Sequence, residues 1–180
     1  MRRVSGGNVE RELVVRAGEG DVEAFAELVR SYERRVRAVL GRLLDDERDV
    51  DEAAQDVFVQ AWRNLDRFRG ESSVFTWLYR IAVNEALMRT RRRRVATVEL
   101  EEAAAAADPQ PAAEPLQAFL LERLRALPLD FRAPLVLRDV EGLSNQEVAD
   151  VLGLSLAATK SRIHRARMHI RAELEAWERG

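Results

Sequence analysis

The 180-residue sequence contains no cysteine. This excludes disulfides, thiol redox chemistry and cysteine-ligated zinc. His164 and His169 are the only histidines, too few for a histidine-rich metal centre. Runs of β-branched residues alternating with polar ones and bounded by turn pairs are scarce, which argues against a sheet. No stretch of about 18 uninterrupted apolar residues occurs, so membrane insertion is not expected. The opening "MRRVSGGN" is basic but lacks the apolar run of a signal peptide, and the expected location is cytoplasmic. Catalytic machinery is missing too. No nucleophile pairs with a base, no glycine loop cradles phosphate and no cluster of metal ligands is present. The chain reads as a non-enzyme with no cofactor and no metal.

What the sequence does contain is Ala, Leu, Arg and Glu in abundance, all good helix formers. The chain is 47% hydrophobic and 33% charged, which suits amphipathic helices and an all-α fold. The formal net charge is only −2, yet charge is blocked along the chain. Residues 45–56 carry seven acids against Arg48, residues 89–94 are nearly all arginine, and the C-terminal segment is basic again. Such blocks imply surfaces for differently charged partners.

Three prolines within seven residues (Pro109, Pro111 and Pro115), beside an alanine run and acidic side chains, mark a linker. The expected organisation is two small helical domains joined by a flexible linker. A flexible N-terminus spans 1–18, a first domain 19–94, the linker 95–115 and a second domain 116–178.

In the first domain, Val22, Phe25, Val29, Tyr32, Val36, Val39 and Leu43 step at helical spacing, with Asp21 as the cap. Val50, Ala54, Val57, Phe58, Ala61, Trp62 and Leu65 form a second stripe. Behind it Glu52, Gln55 and Asp56 make a polar face that repels phosphate and suits a protein partner; a merely solvated face is the plainer reading. A third stripe follows Gly70, with Ser72 or Ser73 as the cap, through Val74, Trp77, Leu78, Ile81, Glu85 and Met88. Glu85 is its one polar break and is expected to matter little. Phe75 and Tyr79 fall off this stripe. Exposed aromatics beside Arg67, Arg69 and Arg80, with an arginine cluster at the helix end, suit single-stranded nucleic acid, where aromatic faces stack on unpaired bases. The alternative is that both rings pack on a neighbouring helix.

In the second domain, Leu116 to Leu127 suits one helix and Phe131 to Val140 another, with Pro134 near its start. Then Ser144-Asn145-Gln146-Glu147 spells a capping box, Gly153 a tight turn, and Ser155 a second cap. Helix, glycine turn, helix is the arrangement that places its second helix in the DNA major groove. At 100° per residue, Leu156, Thr159, Ile163, Ala166, Ile170 and Leu174 share the core side of that second helix. Ala157, Ala158, Ser161, His164 and Arg165 lie opposite. Small residues allow close approach to base edges, and Ser161 and Arg165 suit hydrogen bonds to them. Lys160 and Arg162, on the flanks, suit phosphates.

In this order the segments resemble the extracytoplasmic-function sigma factors, the small two-domain promoter-recognition subunits of bacterial RNA polymerase. "GDVEAFAELVRSYERRV" is similar to region 2.1, "DEAAQDVFVQAW" to region 2.2, "FRGESSVFTWLYRIAVNEALMRTRRRR" to regions 2.3 and 2.4, and the stretch from Leu124 to Arg167 to region 4. The resemblance implies that Glu52, Gln55 and Asp56 dock on the clamp coiled coil of core RNA polymerase, with a further contact to its flap. It implies that Phe68, Arg69, Ser72, Phe75, Trp77, Tyr79, Arg80 and Asn84 meet the −10 element. For the −35 element it implies Ala157, Lys160, Ser161, Arg162, His164 and Arg165. An anti-sigma factor is a further expected partner. From the residues alone, a stand-alone helix-turn-helix regulator or a helical adaptor remain the competing readings, and the first of these predicts a dimer on a palindromic site.

Overall fold

A computed structural model describes residues 6–68, 70, 72–99 and 115–179. The described chain is helical throughout: α1 (Gly6–Gly18), α2 (Val22–Leu43), α3 (Glu47–Arg63), α4 (Val74–Glu99), α5 (Pro115–Ala126), α6 (Leu129–Leu135), α7 (Asn145–Leu152) and α8 (Leu156–Arg179).

Helix starts follow local chemistry. The Asp21 carboxylate accepts from the Ala24 amide at 3.1 Å and begins α2. Asp46 does the same for α3, accepting from the Arg48 amide at 2.9 Å. For α4 the choice between Ser72 and Ser73 falls on Ser73, whose hydroxyl accepts from the Thr76 amide at 3.0 Å. Each cap satisfies a donor that the first helical turn leaves without a partner.

Residues 6–18, expected within a flexible N-terminus, form α1 instead. Leu13, Val14 and Ala17 are buried on one side of it and join the core. Arg16 holds Asp21 at 2.9 and 2.6 Å, tying the end of α1 to the cap of α2. The stripe that decides this, Leu13, Val14 and Ala17, is too short to stand out in the sequence. On α2 the buried row runs through Ala24, Leu28, Tyr32, Val36, Val39, Leu40 and Leu43, while Val22 is exposed. The linker expected over 95–115 is narrower at both ends, since α4 continues to Glu99 and α5 begins at Pro115; residues 100–114 lie outside the described residues.

In the second half α6 starts at Leu129, two residues before the expected Phe131, so Pro134 sits inside the helix. Proline lacks the amide that would bond the carbonyl four residues back, and its ring crowds that carbonyl. The α-helix ends at Leu135 and passes into a wider π-helical turn, Val136–Val140.

The two halves, α1–α4 and α5–α8, meet along a continuous apolar seam. One core runs from Leu40, Leu43, Tyr79 and Val83 into Val136, Leu137, Val148 and Val151. Polar contacts fix its register. Arg132, only 6% exposed, donates from Nη1 to the Leu43 carbonyl at 3.1 Å and to Asp45 at 2.9 Å. Its Nε and Nη2 donate to the Leu127 carbonyl at 3.2 and 3.1 Å, and Nη2 also to the Arg125 carbonyl. Replacing Arg132 by Ala leaves these carbonyls unpaired in an apolar setting. The expected loss is about 3 kcal/mol in urea-induced unfolding. A loss below about 0.5 kcal/mol, the scale of an ordinary surface change, overturns this role.

Candidate nucleic-acid and polymerase interfaces

The helix-turn-helix forms as its sequence indicates. The Ser144 hydroxyl accepts from the Glu147 amide at 3.2 Å, and the Glu147 carboxylate accepts from the Ser144 amide at 2.7 Å. Gly153 takes a left-handed φ of 64° and turns the chain. Ser155 starts α8, accepting from the Ala158 amide at 3.2 Å. Thr159, Ile163 and Ala166 are buried against α6 and α7. Leu156, expected in this row, is exposed: the buried stretch begins only at Thr159, whose hydroxyl donates to the Ser155 carbonyl at 3.0 Å. Ile170 and Leu174 are half-buried.

The opposite side of α8 is open. Ala157, Lys160, Ser161, His164 and Arg165 are exposed. Their side chains make no hydrogen bond or ion pair among the described residues. Arg162 is half-exposed, 3.9 Å from Asp130. Arg167 is committed: it grips Asp139 with two nitrogens at 2.8 and 2.5 Å, which also holds its guanidinium above the ordinary arginine pKa. The buried side of α8 thus fixes an orientation in which small and hydrogen-bonding residues lead and cations flank.

The α4 region departs from expectation. Phe75 and Tyr79, read as projecting outward for base stacking, do not. Tyr79 is 0% exposed and donates its hydroxyl to Glu141, which also pairs with Arg42 at 3.6 Å. Burial pushes the Tyr79 hydroxyl pKa up, and the Glu141 carboxylate reinforces the shift. Phe75 is half-buried, 3.9 Å from the Tyr79 ring, with the Arg35 guanidinium 3.7 Å above its centroid. Two sides of α4 are covered, one by α2 and α3 and another by α7, which takes part of the surface that a single amphipathic stripe leaves for solvent. Trp77, expected towards the core, is only half-buried and packs on Phe68 at 5.1 Å. Arg80 and Asn84 are exposed, with Met88 and Arg91 continuing their row. Ser72 is half-buried, donating to the Ser73 carbonyl at 3.3 Å. Arg69 lies outside the described residues.

Along α3, Glu52, Gln55 and Asp56 are all exposed. Glu52 and Asp56 lean towards α4, where Arg89 reaches them at 3.3 and 2.5 Å. Arg93 reaches Asp49 at 3.4 Å. The acidic block of α3 and the arginine block of α4 therefore meet one another. Glu85, expected to matter little, is 3% exposed and accepts from Gln60 at 2.8 Å and from Arg89 at 2.9 Å. Burial opposes the Arg89 charge, but hydrogen bonds to Asp56, Glu85 and Glu52 outweigh it and hold its pKa above the ordinary value. The Glu85–Arg89 spacing of four was the available signal.

The comparisons with known proteins agree with this geometry. The family model "Sigma-70 region 2" matches residues 28–95 and "Sigma-70, region 4" matches residues 120–170. The RNA polymerase sigma-H factor of Pseudomonas aeruginosa is 35% identical, covering 92% of this chain and 94% of its own. The ECF RNA polymerase sigma-E factor of Escherichia coli K12 is 36% identical, covering 88% and 90%. CnrH, solved in complex with the cytosolic domain of CnrY, superposes with a TM-score of 0.72 at 33% identity, over 93% of this chain and 98% of that one. The sigma factor RpoE of Bartonella quintana, solved with the anti-sigma factor NepR, gives 0.70 at 27% identity, over 86% and 98%. The chain belongs to the extracytoplasmic-function sigma factors of the sigma-70 family. Its function is that family's: it directs RNA polymerase to promoters and is not itself an enzyme.

Nothing lies within 4 Å of a Cβ placed on Gly153, so its replacement by Ala meets conformational strain alone. Gly153→Ala is expected to cost about 1–2 kcal/mol and Gly153→Asn less, measured by thermal unfolding. Equal losses for both contradict the left-handed requirement.

Proposed function

We propose that the chain reads a two-part promoter. In this reading the exposed side of α8 meets the −35 element and the α4 region meets the −10 element as it opens. The single observation that carries it is the open side of α8. Five exposed residues without partners among the described residues stand opposite a buried row on the same helix. Arg165 and Ser161 read base edges, and Lys160 and Arg162 hold phosphates. The base-facing set is Phe68 and Ser72 ahead of α4 and Trp77, Arg80 and Asn84 on it. Tyr79 serves the seam with Glu141 instead, and Phe75 packs on the Tyr79 ring.

Glu52, Gln55 and Asp56 dock on the clamp coiled coil of core polymerase, and the second domain meets the flap. An anti-sigma factor is a further partner, supported by two relatives solved as complexes: CnrH with the cytosolic domain of CnrY, and RpoE with the anti-sigma factor NepR. No helix among the described residues is long and apolar enough to cross a membrane, which agrees with a cytoplasmic site of action.

Run-off transcription from genomic fragments with added core polymerase tests the whole reading. Defined start sites that depend on this chain are expected; none, together with no co-elution with core polymerase, overturns it. On a mapped promoter, Arg165→Ala should relax preference at about one −35 base pair and cost roughly 1–3 kcal/mol. Lys160→Ala should weaken all sequences alike and reduce the salt slope of binding by about one. A uniform loss from Arg165→Ala reassigns that residue to phosphate.

A further inference from the structure

The guanidinium of Arg89 lies among four carboxylates. Its Nε donates to Glu85 at 2.9 Å, Nη1 to Glu52 at 3.3 Å and Nη2 to Asp56 at 2.5 Å, and Asp49 lies 3.9 Å from Nη1. Each nitrogen thus serves a different acid. The seat behind it is buried: Glu85 is held from α3 by Gln60 at 2.8 Å and faces no solvent. The acids in front are not buried. The Glu52 side chain is 70% exposed and that of Asp56 52% exposed, so each keeps carboxylate surface free beyond its bond to Arg89. Asp49, Glu52 and Asp56 sit one to two turns apart on a single face of α3, where like charges repel unless a cation lies between them. A planar fork with fixed donor directions sets where two carboxylates point; an ammonium on a flexible stem supplies the charge without those directions.

We propose that Arg89 is a positioning residue for the polymerase contact: seated on Glu85, it presents Glu52 and Asp56 to a basic partner surface. This rests on the reading of the α3 face as the polymerase-docking face. Arg89 touches the partner only through these acids. Because α4 also carries the −10 face, the helix that meets DNA sets the geometry of the helix that meets the enzyme.

The test measures the affinity of the full chain for core polymerase with Arg89→Lys, which keeps the charge and removes the fork. Glu52→Ala, Asp56→Ala and the Arg89→Lys/Asp56→Ala double variant accompany it, each checked for helix content and cooperative melting. Arg89→Lys is expected to weaken binding about tenfold in the native background and less than about twofold once Asp56 is gone. Glu85→Gln keeps the shape of the seat without its charge. It should give a smaller loss, about threefold, with the same dependence on Asp56, and it serves where Arg89→Lys does not fold. Native affinity for Arg89→Lys and Glu85→Gln while Asp56→Ala binds weakly overturns the positioning role and leaves the docking face standing. An equal loss in both backgrounds also overturns it, since that marks a general structural effect. Full affinity for both Glu52→Ala and Asp56→Ala overturns the docking face itself, and the positioning role with it.

Discussion

Arg132 donates to three backbone carbonyls and one carboxylate from a site almost closed to water. A buried guanidinium is costly unless its donors are used, and here all three nitrogens have acceptors. Two of the carbonyls, those of Arg125 and Leu127, lie in its own half of the chain, and that of Leu43 in the other. The same side chain therefore shapes the junction of α5 with α6 and seats it on the end of α2. Around it the apolar seam closes and buries Tyr79 and Val83 of α4 under the second half. The side of α4 that stays open, proposed above for the −10 element, follows from that covering.

Charge is used in the same economical way. The low net charge conceals blocks of opposite sign, and the structure brings two of them together, α3 acids on α4 arginines. Exposed pairs of this kind are individually weak. The pairing differs from a surface pair at its inner end, where Glu85 and Gln60 anchor Arg89 out of water. The acids of α3 are consequently an ordered set with one cation among them rather than a solvated patch. Among the described residues the basic side of α8 has no such partners beyond Asp130 for Arg162 and Asp139 for Arg167.

The helix-turn-helix was legible because its signals are local. Ser144 and Glu147 lie three residues apart, Gly153 marks its own turn, and one 3.6-residue period separates the two sides of α8. The stripes of α2 and α3 were legible for the same reason, within a residue or two at their ends. Tyr79 was not. Periodicity says which residues share a face, but it does not say what covers that face, and the cover here comes from residues more than sixty positions away. Glu85 was misjudged for a related reason: a carboxylate in an apolar row looks like noise until its two donors, one on another helix, are known. Arg132 carried no signal at all, since an arginine is ordinarily on the surface. The N-terminal helix was lost to brevity, its buried row being only Leu13, Val14 and Ala17.

The seam between the halves is uneven in its chemistry. Arg132 and Arg125 reach across to the carbonyls of Leu43 and Gly41, which belong to the main chain and are present whatever side chain stands there. Those bonds can drift away through change in the second half but not through exchange of side chains at positions 41 and 43. Surviving variation at these two positions should then follow size and helix preference alone, while the two arginines are held by what they bind. Complementary change across the seam belongs instead to its side-chain pairs, Arg42 and Tyr79 with Glu141 and Arg132 with Asp45, so covariation among relatives should concentrate at those five positions.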